Sequence, residues 1–312
     1  MHKFAFVFPG QGSQSVGMMS AYGDDAEIRA TFDEASAALD EDLWAMVADG
    51  PAERLALTTN TQPLMLTAGV AVFRSWMRRT GRMPDVVAGH SLGEYAALVA
   101  AGVLRLRDAV PLVRLRAQAM QEAVPAGTGA MAAILGLDAE VVGIACAEAA
   151  HGEVVAAVNF NSPEQTVIAG HATAVRRAMA LLTERGAKRA VALPVSAPFH
   201  CSLMQPAADR LATALRSVEL ARPVITLVNN VDVASPEDAD AIRDALVRQA
   251  AAPVRWVEVI RRMASLGVAT VAECGPGKVL AGLTKRIDKE LNGVALADAA
   301  SLDQLAQQMG AE

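Results

Sequence analysis

The sequence predicts an α/β protein of two unequal parts: a large domain on a mostly parallel sheet, and a small βαββαβ domain inserted into it. Two observations carry this. Short apolar runs closed by Pro and Gly alternate with long helical stretches, the pattern of strands joined by helical crossovers. Between about residues 127 and 195 the rhythm changes to shorter, evenly spaced segments, which marks a separate unit.

Residues 4–8 form an apolar run ended by Pro9-Gly10 and read as a buried strand. A largely helical stretch follows, with Asn60-Thr61-Gln62-Pro63 as a start signal and Gly81 as a stop. Pro84-Asp85 then introduces a second buried strand at 86–89. In the middle block, 129–136 reads as strand, 138–150 as helix and 154–160 as strand. After Asn161-Ser162-Pro163 come strand 165–170, helix 171–185 and strand 187–195. That order is the split βαβ of a ferredoxin-like domain, so the small domain spans 127–196 and the large one 1–126 with 197–312. The last block resumes the first pattern, with strands at 224–228 and 269–273 and an edge strand at 294–297. Its helical segments lie around 239–250, 256–266 and 278–290.

An apolar fraction of 53% in 312 residues excludes disorder, and a chain of this size buries roughly three-quarters of its unfolded surface. With 28 Lys and Arg against 34 Asp and Glu, the net charge of −6 argues against a nucleic-acid partner. The longest apolar run, 96–104, is about half the ~18 residues of a membrane span, and the N-terminal run is too short for a signal peptide. Cys146, Cys201 and Cys274 are widely spaced and form no CxxC pair. A reduced, cytoplasmic protein without a membrane partner is expected, as a monomer.

Two glycine-rich stretches suggest nucleotide binding, and both fail. Gly10-Gln11-Gly12-Ser13-Gln14 has Ser15 where GxGxxG needs its third glycine. Gly12 and Gly17 have P-loop spacing, but Met18 stands in place of the lysine. No His, Cys and carboxylate cluster has metal-ligand spacing. Chemistry without a cofactor or metal is therefore expected.

Gly89-His90-Ser91-Leu92-Gly93 is different. It matches GxSxG, with the buried strand before it and the helical run after it that a nucleophile elbow requires. Glycines at the flanks relieve collisions in so tight a turn, and the large domain takes on an α/β-hydrolase-like character. Ser91 then sits near a helix N-terminus, where the dipole favours an oxyanion. An ordinary strand–helix turn capped by a serine is the bland alternative. For a base, His2 is terminal, and His151 and His171 flank turns where solvated roles are expected. His90 points away from an adjacent elbow residue. His200, where the chain re-enters the large domain, is left by elimination. Cys201 beside it reads as a small packed group.

Arg116 bears on the substrate. On its helix, starting near Asp108 with Pro111 in the first turn, Ala109, Leu112, Val113, Ala119, Met120 and Ala123 share one face with Arg116 at its centre. An arginine in a core-facing stripe needs an anionic partner. Either a buried carboxylate such as Glu94 or a substrate carboxylate meets that need.

Taken together, these stretches resemble the malonyl-CoA:acyl carrier protein transacylases of fatty-acid synthesis nearly end to end. The likeness is carried by Phe8-Pro9-Gly10-Gln11-Gly12-Ser13-Gln14, Asn60-Thr61-Gln62-Pro63 and Gly89-His90-Ser91-Leu92-Gly93-Glu94-Tyr95. Arg116 with Met120-Gln121-Glu122-Ala123-Val124-Pro125 follows, then Asn161-Ser162-Pro163, Pro198-Phe199-His200 and Glu273-Cys274-Gly275-Pro276-Gly277-Lys278. Cys201 departs from the serine more usual in the family. The resemblance implies Ser91 as nucleophile, His200 as base, and the main-chain carbonyl of Gln249 in place of a triad acid. It implies an oxyanion hole from the backbone N–H groups of Gln11 and Leu92, and Arg116 as holder of the malonyl carboxylate. Met120 and Phe199 would line the pocket, Phe199 crowding an α-methyl branch. The implied partners are malonyl-CoA and acyl carrier protein. Because the carrier is acidic, Arg185, Lys188 and Arg189, or Lys285 and Arg286, are candidate docking charges.

Three rival readings remain. A hydrolase shares the serine and base but usually places an acid between them, and none is evident. A non-catalytic carrier-binding domain has no need of Ser91, His200 and Arg116 together. A methylmalonyl transferase is disfavoured by Phe199.

Overall fold

The computed structural model describes residues 3–195 and 197–310. His2, and Ser196 at the predicted domain boundary, lie outside the described residues.

The strands are β1 (Lys3–Phe8), β2 (Val86–Gly89), β3 (Gly129–Leu135), β4 (Val155–Ser162), β5 (Gln165–His171), β6 (Arg189–Ala192), β7 (Thr226–Leu227), β8 (Val268–Cys274) and β9 (Asn292–Leu296). Five of them form a parallel sheet in the order β7-β2-β1-β8-β9. The other four form a separate antiparallel sheet in the order β4-β5-β3-β6. The chain is thus α/β, with both expected kinds of sheet.

Burial of the parallel sheet on both faces explains why β1 and β2 read as continuous apolar runs rather than alternating ones. Phe4, Phe6 and Phe8 of β1 pack into one core, where Phe6 meets Trp76 edge-to-face at 5.3 Å. Ala5 and Val7, pointing the other way, join Trp256, Val259, Leu280 and Leu283 in a second core. The helices Thr58–Thr80 and Trp256–Ser265 therefore cover opposite faces. The antiparallel sheet has its own core, in which Ile134 and Ile168 pack against Val142, Cys146, Val175 and Leu182 of the helices Ala139–Ala149 and Ala172–Glu184.

Several boundaries differ from expectation. The long helix begins at Thr58 rather than at Asn60, and the Arg116 helix spans Leu106–Glu122 rather than starting near Asp108. Pro63 and Pro111 are consequently sixth in their helices, not in the first turn. Each forgoes one amide bond, to the carbonyl four residues back. The strand expected at 187–195 shortens to Arg189–Ala192: Leu193 N–H still reaches the Met131 carbonyl, but Val195 N–H turns back to the Leu193 carbonyl instead of crossing to β3. The strand expected at 224–228 pairs only through Thr226–Leu227, and Val224 is exposed.

The two sheets meet along β4. Phe160 N–H donates to the Val254 carbonyl at 3.0 Å, and Val254 N–H donates to the Val158 carbonyl at 2.8 Å. This seam runs beside the C-terminal ends of β1 and β2, the edge at which open parallel sheets bind ligands.

Candidate active site

Ser91 is separated from the end of β2 by His90 alone and adopts a φ of +52°, the strained conformation of a nucleophile elbow. The flanking glycines are sterically obligatory. A Cβ at Gly89 would lie 1.8 Å from the Gly93 carbonyl carbon, and one at Gly93 would lie 2.1 Å from the Phe8 oxygen. Asn230 locks the turn from the far side. Its Oδ1 accepts from Ser91 N–H at 2.7 Å, and its Nδ2 donates to the Gly89 carbonyl at 2.7 Å.

His200, 3% exposed, comes to the same point from the chain after the small sheet, at a φ of +64°. Its Nε2 lies 2.6 Å from Ser91 Oγ, and its Nδ1 lies 3.0 Å from the Gln249 carbonyl. A carbonyl can only accept, so Nδ1 carries the proton and Nε2 is free to receive the serine's. Burial, followed by the charge of Arg116, pushes the His200 pKa down to about 3. The imidazole is therefore neutral at physiological pH.

Arg116 is 2% exposed and makes no ion pair with a described carboxylate. Its Nη1 donates to Gln62 Oε1 at 2.8 Å, and its Nη2 donates to Gln249 Oε1 at 3.1 Å and to Ser91 Oγ at 3.2 Å. The guanidinium also lies over the Tyr95 ring, 5.5 Å from its centroid. Glu94 does not touch it. That carboxylate accepts from Gln249 Nε2 at 3.0 Å and from Asn230 N–H at 2.9 Å, and burial raises its pKa to about 7.

Gln11, Leu92, Met120 and Phe199 line one cavity of about 120 Å³ with Ser91, Arg116 and His200. The N–H groups of Gln11 and Leu92 have no acceptor among the described residues, so both remain available to a ligand. Every site residue expected from the sequence is thus in this cavity except Gln249, which stands behind it and reaches His200 through its main chain.

The other described histidines have surroundings of their own. His90 turns away from Ser91, packs against Trp256 with the rings tilted and their centroids 5.3 Å apart, and meets Asn161 Oδ1 through Nε2 at 2.8 Å. His151 is exposed. His171 is not merely solvated, since its Nδ1 accepts from Val154 N–H at 2.9 Å. Cys201 is buried, its Sγ 3.1 Å from the Pro198 carbonyl oxygen.

Gln62 and Asn230, and the side chain of Gln249, were not foreseen as site residues. Gln62 does lie in the Asn-Thr-Gln-Pro stretch, where a polar run inside a buried helix is a usable signal. Asn230 gave none beyond its position after a strand.

The Ser91 cavity opens into a groove of about 300 Å³ that shares Gln11, His90, Asn159 and Leu193 with it and adds Val279, Leu280 and Leu283. Gln165 continues that groove into a cleft of about 480 Å³ holding Lys188, Lys285, Arg286 and Lys289 against Glu164. The structure brings Lys188 of the small sheet and Lys285 and Arg286 of the large one to the same mouth. Arg185 is instead paired with Glu148.

Residues 5–306 match the family model described as acyl transferase domain. The chain is 56% identical over 303 residues to the malonyl CoA-acyl carrier protein transacylase of Salmonella typhimurium, covering 97% of this chain and 98% of the relative. It is 43% identical over 314 residues to that of Bacillus subtilis, covering 100% and 99%. An acyl-carrier-protein S-malonyltransferase structure from Burkholderia pseudomallei matches with a TM-score of 0.96 at 60% identity, over 98% of this chain and 99% of that one. A structure of a type II PKS acyl-carrier protein in complex with its malonyl-transacylase matches with a TM-score of 0.97 at 51% identity, over 98% and 99%. The chain belongs to the malonyl-CoA:acyl carrier protein transacylases, acyltransferases of the S-malonyltransferase class.

Proposed function

We propose that this chain transfers malonyl from malonyl-CoA to the phosphopantetheine thiol of acyl carrier protein by a ping-pong cycle through a malonyl ester of Ser91. The observation that carries this is the convergence of Ser91, a neutral His200 and an arginine without a counter-ion in one small cavity. Ser91 Oγ attacks the thioester carbonyl while His200 Nε2 takes its proton. The tetrahedral oxyanion is met by the N–H groups of Gln11 and Leu92, donors typically worth ~3–4 kcal/mol each in the transition state. The intermediate collapses, the C–S bond breaks, and His200 returns the proton to the departing CoA thiolate. The carrier thiol then enters, loses its proton to His200 and takes the acyl group, restoring Ser91.

Arg116 pairs with the free carboxylate of the acyl group throughout. That pairing also offsets the largest charge effect depressing His200, so the base strengthens when the correct acyl group is present. The apolar groove and its cationic mouth support a path for the pantetheine arm, with the acidic carrier protein docked at Lys188, Lys285 and Arg286. The reaction as drawn uses no cofactor, CoA being part of the substrate. Supply of malonyl groups to fatty-acid elongation by a cytoplasmic monomer completes the proposal. Among the described residues no helix is long and apolar enough to cross a membrane.

The element order of 127–196, with its strand order β4-β5-β3-β6, supports a ferredoxin-like inserted domain. The strand–elbow–helix unit supports a hydrolase-like character for the remainder, 1–126 with 197–312. Isotope exchange tests the cycle. Labelled CoA should enter malonyl-CoA without carrier protein, because the acyl-enzyme forms before the carrier binds. Exchange that requires the carrier would contradict a ping-pong order.

A further inference from the structure

Gln249 has two separate connections to the site. Its main-chain carbonyl holds His200, whatever side chain it bears. Its side-chain amide, fully buried, bridges the buried guanidinium of Arg116 and the buried carboxylate of Glu94, with Oε1 on Arg116 at 3.1 Å and Nε2 on Glu94 at 3.0 Å. A second Nε2 bond, to the Ser91 carbonyl at 3.0 Å, fixes which way the amide faces. The orientation is then dictated by its neighbours: a cation can only donate, and a main-chain carbonyl can only accept.

We infer that the Gln249 side chain is a specificity-determining spacer, which keeps Glu94 from neutralising Arg116 and so reserves the guanidinium for the carboxylate of the acyl group. This rests on the malonyl reading above. Without the amide, a buried Arg and a buried Glu this close would close into an ion pair, since each otherwise lacks a partner of opposite charge. Such a pair would satisfy Arg116 internally, and an entering carboxylate would have to displace Glu94. With the amide in place, Arg116 is positioned by two neutral acceptors, Gln62 and Gln249, which orient it without cancelling its charge. Glu94 still contributes at one remove, polarising the amide so that its oxygen is a better acceptor for the guanidinium. The raised pKa of Glu94 agrees with a carboxylate held away from a direct cation.

The test exchanges the two side chains. In the double variant Glu94→Gln with Gln249→Glu, one carboxylate and one amide remain, and so does a hydrogen bond between them, but the carboxylate now faces Arg116. The main-chain carbonyl that orients His200 is retained. Rates of Ser91 acylation would be measured with malonyl-CoA and with acetyl-CoA. The expected result is a fall of at least about tenfold in the malonyl-to-acetyl ratio of kcat/KM, carried by the KM for malonyl-CoA. A merely structural role would lower both donors together, and a ratio within about twofold of wild type would overturn the proposal. Should the double variant fail to fold, Gln249→Ala removes the spacer and keeps the main-chain carbonyl on His200, with the same expected loss of ratio and the same overturning result. A wild-type chain without malonyl preference would contradict the proposed function itself. Wild-type preference that survives in the variants would contradict only the role given to Gln249.

Discussion

At the scale of single residues, the base and the cation influence one another. His200 is buried next to Arg116, and both burial and that charge favour the neutral ring. In the unfolded chain the same histidine titrates near 6.5. As pH falls below that value the unfolded state gains a proton that the folded state refuses until about pH 3, so stability is lost on acidification. Between pH 7.5 and 5.5, wild type should lose about 1 kcal/mol more than His200→Asn in denaturant unfolding. Equal losses would show that the ring is not held neutral. Arg116 has the opposite character, a cation kept charged without a counter-ion. Arg116→Ala should lower malonyl transfer far more than acetyl transfer, with the preference reduced about a hundredfold or more in acylation assays. Unchanged selectivity would remove Arg116 from carboxylate recognition. Its burial was legible, because the apolar stripe around it on Leu106–Glu122 is regular. Its partners were not: Gln62 and Gln249 are 54 and 133 residues away, and only the fold brings them together.

Among the elements, the elbow between β2 and the helix Gly93–Ala100 was the most legible, because its glycines answer to a local steric demand. Replacing Gly93 with Ala sets a Cβ 2.1 Å from the Phe8 oxygen, inside a sheet with no slack. Gly93→Ala should therefore cost about 4 kcal/mol or more, and a soluble variant melting within a few degrees of wild type would contradict this. Helix starts were less legible. Asn60-Thr61-Gln62-Pro63 carries turn-like residues, yet it lies inside Thr58–Thr80, where Thr61 Oγ1 bonds back to the Leu57 carbonyl at 3.1 Å. Tertiary burial overrode the local signal. The helix Val279–Ile287 serves two regions, with Leu280 and Leu283 in the groove and Lys285 and Arg286 at its mouth. Reversing the charge of Lys285 and Arg286 should raise the KM for carrier protein about tenfold at low salt, with the effect shrinking as salt is added. A KM that does not move would exclude this mouth as the docking surface.

Over the whole molecule, the net charge of −6 is set against a proposed acidic partner, and the arrangement of the two sheets offers a local remedy. The antiparallel unit supplies Lys188, and the parallel unit supplies Lys285, Arg286 and Lys289, to a single cleft. No count of charges along the chain could reveal this, because the two contributions are nearly a hundred residues apart. Composition and rhythm did reveal that there would be two sheets of different kinds, since each strand declares its own environment. The cleft also leads, through the groove, to the only place where Ser91, His200 and Arg116 meet. A covalent malonyl group on Ser91 is the centre of the proposed cycle. Intact-protein mass spectrometry after brief exposure to malonyl-CoA, with Ser91→Ala alongside and holo carrier protein added afterwards, tests it most directly. A malonyl-sized adduct that requires Ser91 and is discharged onto the carrier is the predicted result. Free malonate accumulating without an adduct, or an adduct that persists in Ser91→Ala, would contradict it.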